Sequence, residues 1–274
     1  MKSPDFLKQP VYMLLFLATL ALACTRQNSD PTDAVKPQNS SDSALPAKLP
    51  ADTQSAIYLT FDDGPNNGTG PVLSILENEK VPAAFFLIGS HVAFMKNAKT
   101  NLEHMRHLPL IEMYNHSFSH GYRNNFDSFY ADTEKVTADF DKAGKALGVS
   151  SKVARTPGNN IWRTEKLKQT TYQRYSPAAD KLYENGYQLF GWDHEWFHYK
   201  NKLKQTPEWL NYEIDSMLTH NKVRSTGHLI LIMHDACFIN DADSLKLVQF
   251  IQQVKSEGKY AFRPVSAHPL LAAP

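Results

Sequence analysis

Two adjacent carboxylates stand in the run Thr60-Phe61-Asp62-Asp63-Gly64-Pro65. Neighbouring side chains leaving a strand point to opposite sides. One aspartate can then bind a cation while the other faces a reacting atom. Gly64-Pro65 turns the chain sharply after them. An Asp-rich turn that caps the next helix is the other use of such a pair. The second constellation is His116-Ser117-Phe118-Ser119-His120. Histidines at i and i+4 share a face if the backbone makes a helical turn, and two imidazoles can then meet one ion. Neutral imidazole favours zinc and other borderline metals, and a carboxylate can complete a three-ligand site that leaves positions open for water or substrate. Two surface histidines at a helix start would show the same spacing.

Three further segments carry polar groups of the right kind. Arg155-Thr156-Pro157-Gly158 offers a guanidinium that keeps its charge when buried and can pair with a carboxylate of the first run. Gly158 or its neighbour can present an open backbone N–H to a developing oxyanion. Met233-His234-Asp235 ends the most apolar run of the chain, so His234 is expected to be partly desolvated and able to give a proton to a leaving group. Gly191-Trp192-Asp193-His194-Glu195-Trp196 supplies two carboxylates, Asp193 and Glu195, two apart on one strand face, and two tryptophans that either wall a groove or pack the core.

The elements that must position these groups follow from periodicity. Strands are expected at 57–61, 83–88, 111–114, 152–155, 187–192, 228–233 and 260–263, and helices at 70–78, 92–106, 128–147, 178–185, 207–220 and 241–257. Seven strands alternating with six helices predict a parallel sheet with helices outside, either open or closed into a barrel. Continuous apolar runs such as Leu229-Ile230-Leu231-Ile232-Met233 fit strands covered on both faces. Asp62 and Asp63, His116, Arg155, Asp193 and Glu195, and His234 all fall at the carboxyl ends of these strands, the edge where α/β sheets and barrels carry their sites. Five polar clusters on one edge are the best evidence for a site that does not depend on the choice of fold.

The chain has 274 residues and a net charge of +1 from 29 basic and 28 acidic side chains. That balance gives no reason to expect nucleic acid or an acidic solvating tail. An apolar run from Val11 to Ala23 follows Lys2 and Lys8; it is too short to span a bilayer but fits a secretory signal. It ends Leu20-Ala21-Leu22-Ala23-Cys24, which resembles a bacterial lipobox. A signal over residues 1–24, a lipid anchor on Cys24 and a flexible polar tether over 25–55 are therefore expected. They imply an exported, membrane-anchored lipoprotein, periplasmic or at the outer membrane, the latter favoured by Thr25. Cys237, the second cysteine, then has no disulfide partner.

Taken in order, the five segments resemble the polysaccharide deacetylases with the NodB homology domain, carbohydrate esterase family 4. Thr60–Pro65, His116–His120, Arg155-Thr156-Pro157, Trp192–Trp196 and Leu231–Asp235 resemble that family's first to fifth motifs, and the likeness covers about residues 56–267 of a domain expected over 56–270. It implies a single catalytic domain with a distorted (β/α)7 TIM-like barrel. It implies that Asp63, His116 and His120 hold one divalent ion, zinc before cobalt, nickel or others. Asp62 would be the general base that deprotonates the attacking water, oriented by Arg155. His234 would be the general acid, tuned by Glu195 or Asp193; family spacing favours Glu195. Gly158, Trp192 and Trp196 would contact substrate. Two departures stand out: Gly158 replaces an aromatic residue after the proline of the third motif, and the fourth motif is compressed. The activity implied is removal of N-acetyl groups from an N-acetylhexosamine polymer of the cell envelope: peptidoglycan, a chitin-like chain or poly-N-acetylglucosamine. The alternatives are an O-acetyl esterase or small-amide hydrolase on the same fold, and a sugar-binding module without catalysis. Oligomeric state is not addressed by the sequence.

Overall fold

The computed structural model describes residues 54–271. The expected signal, Cys24 and nearly all of the tether lie outside them. The longest strand, β1 (Ala56–Gly64), is buried along almost its whole length. It pairs in parallel with β11 (His228–His234) on one side and with β2 (Ala83–Leu87) on the other. β3 (Ile111–Asn115) continues the parallel array beyond β2, and β4 (Val153–Ala154) follows it. Apolar side chains on both faces are what this arrangement requires, because each strand is covered by the interior on one side and by helices on the other.

Period-two alternation sorts the two faces. Ile57, Leu59 and Phe61 of β1, Phe85 and Leu87 of β2 and Leu229, Leu231 and Met233 of β11 belong to the larger apolar cluster, shared with the helices. Ala56, Tyr58, Ala84, Phe86, Tyr114 and Ile230 form a separate cluster with Trp162, Phe190 and Val265, which fills the inside of the curl. Thr60, Asp62, Ile232 and His234 lie on this inner face by the same alternation. The polar site is thus the top layer of the interior, resting on an apolar plug.

The sheet closes in an unexpected way. The run expected as one strand at 187–192 is split into β7 (Gln188–Leu189), which pairs with β4, and β8 (His194–Glu195), which pairs with β11. Phe190 N–H donates to Ala154 C=O and Asp193 N–H to Ile230 C=O, so the intervening residues hand over from one neighbour to the other. The two sides of the parallel array are therefore successive parts of a single chain run. This gives the distorted barrel its seam. The expected seventh strand is reduced to β12 (Ala261–Phe262), which pairs with the foot of β1. An antiparallel hairpin, β5 (Ile161–Arg163) and β6 (Lys168–Thr170), lies along β7, and β9 (His198–Tyr199) pairs antiparallel with β10 (Lys202–Leu203). Neither hairpin was expected.

The helices are α1 (Thr69–Glu79), α2 (His91–Phe94), α3 (Ala98–His107), α4 (His120–Asn124), α5 (Phe126–Ala131), α6 (Thr133–Leu147), α7 (Ser176–Glu184), α8 (Pro207–Thr219) and α9 (Asp241–Glu257). The best-signalled helix, α9, has the expected bounds. Asn240 caps it by accepting the Asp243 N–H, acidic residues fill its first turn, and Gly258 ends it at φ +62°. The expected helix 128–147 is instead two, because the Asp132 side chain accepts the Lys135 N–H and starts α6 afresh. The expected helix 92–106 also breaks, where Met95 turns extended between α2 and α3.

Candidate active site

The site is a cavity of about 240 Å³ lined by Asp62, Asp63, His116, His120, Thr156, Gly158, Trp192, Glu195, Ile232 and His234. Asp62 and His234 are register partners across β1 and β11 and share the inner face. A base and an acid candidate thus rise side by side from two adjacent strands. Asp62 is almost wholly buried. Its Oδ1 accepts from Arg155 Nη1 at 2.8 Å, and its Oδ2 stands 3.7 Å from His116 Nε2.

Arg155 does more than hold Asp62. Nη1 also donates to Thr60 Oγ1, while Nε donates to Phe190 C=O at 3.0 Å and Nη2 to Gly191 C=O at 2.8 Å. Its guanidinium lies 4.0 Å from the centroid of the Phe86 ring. Burial pulls this guanidinium below its ordinary pKa, and the charge of Asp62 opposes the shift. One side chain therefore fastens the seam of the barrel to the inward carboxylate. Removing one member of so buried a pair leaves the other uncompensated, a loss of roughly 3–5 kcal/mol.

Asp63, His116 and His120 offer one ligand atom each, all within 4.8 Å of one another. His116 Nδ1 meets Arg155 C=O at 2.9 Å, which fixes that nitrogen as N–H and turns the Nε2 lone pair into the site. His120 Nε2 lies 3.0 Å and His116 Nε2 3.4 Å from Asp63 Oδ1. Even so, this buried oxygen has no hydrogen bond of good geometry. Donor atoms that crowd together without bonding each other are aimed at a common point between them, so the residues fit a divalent ion. Burial pushes Asp63 up, but hydrogen-bonding contact with His116 and His120 and their charge prevail and hold it well below the usual carboxylate range. The two imidazoles do not converge through a right-handed helical turn, as their spacing suggested. His116 directly follows β3, Ser117 has φ +67°, and His120 opens a turn whose residues 120–124 all have positive φ.

Glu195 and Asp193 separate cleanly. Glu195 lies at the cavity, raised by burial and pulled back by the charge of His234. Asp193 is not at the reacting edge: it accepts from Arg224 N–H at 2.8 Å and Ile230 N–H at 2.9 Å, pinning β11 to the seam. Burial raises its pKa. Trp196 is likewise no groove wall. It is fully buried among Phe238 and Phe250, with its indole N–H on Gln205 C=O. Trp192 and Gly158 do line the cavity. A Cβ on Gly158, at φ +67°, would fall 2.4 Å from the Phe126 ring. Phe126 thus fills the place beside the third motif from another element, packing also over Gly121 and edge-on to His120. Asp235, next to His234, is turned away; Asn66 and Thr69 donate to its carboxylate, tying the end of β11 to the turn after Asp63. Burial raises it to about 7 against those hydrogen bonds. Cys237 is a buried thiol without a disulfide.

A second cavity of about 670 Å³ adjoins the first; Asp63 and His120 line both. Ile88, His91, Phe94, Met95, Phe118 and Arg123 are among the residues of its walls.

The polysaccharide deacetylase family model matches residues 50–175, a span that holds Asp62, Asp63, His116, His120 and Arg155. The match takes in just under half of the chain and contains the first three of the five motifs. Among relatives, it is 34% identical over 92 residues to a chitooligosaccharide deacetylase of Rhizobium leguminosarum bv. trifolii, covering 33% of this chain and 39% of that one. It is 24% identical over 183 residues to a peptidoglycan-N-acetylglucosamine deacetylase of Bacillus cereus, covering 66% and 61%. The chain thus spans well under the full length of these relatives. Its fold is shared with a carbohydrate esterase family 4 enzyme of Streptococcus mutans, at TM-score 0.58 and 22% identity over 76% of this chain and 86% of that one. It is shared too with the catalytic domain of a peptidoglycan N-acetylglucosamine deacetylase of Eubacterium rectale, at TM-score 0.57 and 20% identity over 86% and 97%. The chain therefore shares the distorted (β/α)7 barrel of these structures.

Proposed function

We propose that the chain is a metal-dependent N-deacetylase that removes acetyl groups from an N-acetylhexosamine polymer of the cell envelope, exported and held to the membrane by a lipid on Cys24. The observation that carries the reading is the pairing of two unlike functions across one 240 Å³ cavity. On one side, Asp63, His116 and His120 converge on a point; on the other, Asp62 and His234 stand in register with Glu195 beside them. The adjoining 670 Å³ cleft gives room for neighbouring units of a chain, with exposed Phe94 at its wall as a platform for a sugar face.

A divalent ion on these donors supplies Lewis acidity, which polarises an acetyl carbonyl and lowers the pKa of a water from about 15.7 towards about 7. The protein's own groups do the rest. Arg155 engages Oδ1 of Asp62, so Oδ2 is the atom left to accept the proton of the attacking water. The tetrahedral centre then collapses as His234 gives a proton to the departing sugar nitrogen, and acetate leaves. Glu195 lies beside His234 at the same cavity. Trp192, Thr156 and Gly158 form the wall against which the acetyl-bearing ring is held.

The test is acetate release by the metal-loaded full chain from N-acetylglucosamine oligomers, peptidoglycan and O-acetylated xylan. Acetate and free amine from the N-acetylated glycans are expected. Release confined to O-acetyl esters, or none from any glycan by protein with its metal in place, would overturn the reading.

A further inference from the structure

We propose that Glu195, His198 and His234 form a second divalent-cation site, whose occupation withdraws His234 from proton transfer. One ligand atom from each of the three lies within 4.8 Å of the other two, the same closeness as in the first triad. Two imidazoles and a carboxylate are a borderline-metal donor set, and all three residues are half-buried, so water or substrate can complete the coordination. The two rings have centroids 4.7 Å apart with planes inclined at 56°. Nδ1 of His198 and Nδ1 of His234 are both buried without a hydrogen-bond partner. Imidazoles that merely packed the core would be expected to pair these nitrogens.

The elements hold the three groups independently. Glu195 is on β8, His234 ends β11, and His198 sits on β9, which is paired to β10 and steadied by Lys204 N–H on Phe197 C=O at 2.8 Å. The small hairpin thus brings to the acid's side of the cavity a histidine that the proposed hydrolysis does not use. Glu195, Asp62 and Asp63 add negative charge around the same cavity, opposed at close range by Arg155. A cation bound to His234 would occupy a nitrogen needed for the proton, so excess metal would inhibit. That last consequence rests on the proposed role of His234; the binding itself does not.

The experiment is a calorimetric titration of zinc into the metal-free full chain, run beside a zinc dependence of acetate release. Wild type should take up two equivalents, the second weaker. His198→Ala and His198→Gln should keep the first equivalent, which also reports that they fold, and lose the second. His120→Ala should lose the first and keep the second. Wild-type turnover should rise with zinc and then fall by roughly a hundredfold or more, the share a general acid–base group contributes; the His198 variants should rise to a plateau. A single equivalent in wild type, or a second equivalent that survives in both His198 variants, would overturn the proposal. If no acetate is released at all, the equivalents still decide the site, and only the deacetylase reading falls.

Discussion

Asp62 and Asp63 are neighbours that face different ways because one obeys the strand and the other leaves it. Asp62 keeps the alternation of β1 and points inward to Arg155; Asp63, at φ +72°, breaks it and turns towards the histidines. A non-glycine residue there stores strain of about 1–3 kcal/mol, which the surrounding contacts must offset. The division predicts different failures. Asp62→Asn still accepts a hydrogen bond from Arg155 but cannot take a proton, so metal content should stay near wild type while turnover drops about a hundredfold or more. His120→Ala should lose the catalytic ion. Metal analysis of the two purified variants decides: an empty site in Asp62→Asn would mean the aspartates are assigned the wrong way round. The residue types suggested one cation ligand and one base; which aspartate takes which role came from the family resemblance. The company of Gly158 was legible in neither, since Phe126 lies 32 positions away in sequence and no spacing rule connects them.

At the scale of elements, apolar runs and capping residues were readable, and pairing was not. β1, β2 and β11 are buried on both faces, so composition alone betrays them. β7, β8, β9 and β10 have two residues each, too few for any period to show. The turn at 120–124 is illegible for another reason: left-handed backbone costs about 1–2 kcal/mol per residue for side chains other than glycine, and only Gly121 advertises it. Arg123 is exposed with φ +57°. Arg123→Gly should therefore stabilise the fold by a net of about 0.5–1 kcal/mol once glycine's greater unfolded-state freedom is counted. The melting temperature should rise by about 1–4 °C. Arg123→Ala should give no such gain; equal effects of Ala and Gly would mean that the left-handed turn carries no strain.

For the molecule as a whole, the foot of the barrel governs acid stability. His268 is fully buried there, edge-on to Tyr58 and Phe190, with Nδ1 accepting the Leu270 N–H at 3.2 Å. Burial lowers its pKa to about 3, and the charge of nearby His228 adds to the shift. The folded state thus refuses a proton that the unfolded chain takes near pH 6.5. Its contribution is fully present above pH 6.5 and is lost progressively as pH falls towards 3, by up to about 1.4 kcal/mol per unit. Urea unfolding between pH 7 and 4 should show a shallower pH slope for His268→Phe than for wild type. Parallel slopes would mean that this histidine is not held neutral.

The seam between β7 and β8 has a consequence for how the protein meets proteases. A barrel laced all round by ladders tolerates a nick in any one loop; here, the residues between Leu189 and His194 are themselves the clasp. A protease cut within that stretch would turn a closed wall into an open ribbon whose long β11 is covered by no more than the two-residue β8, the kind of edge on which chains aggregate. Arg155, gripping the Phe190 and Gly191 carbonyls from inside, guards against that opening. The clasp and the Asp62 carboxylate hang from one guanidinium, so a molecule whose wall has sprung also loosens the inward carboxylate.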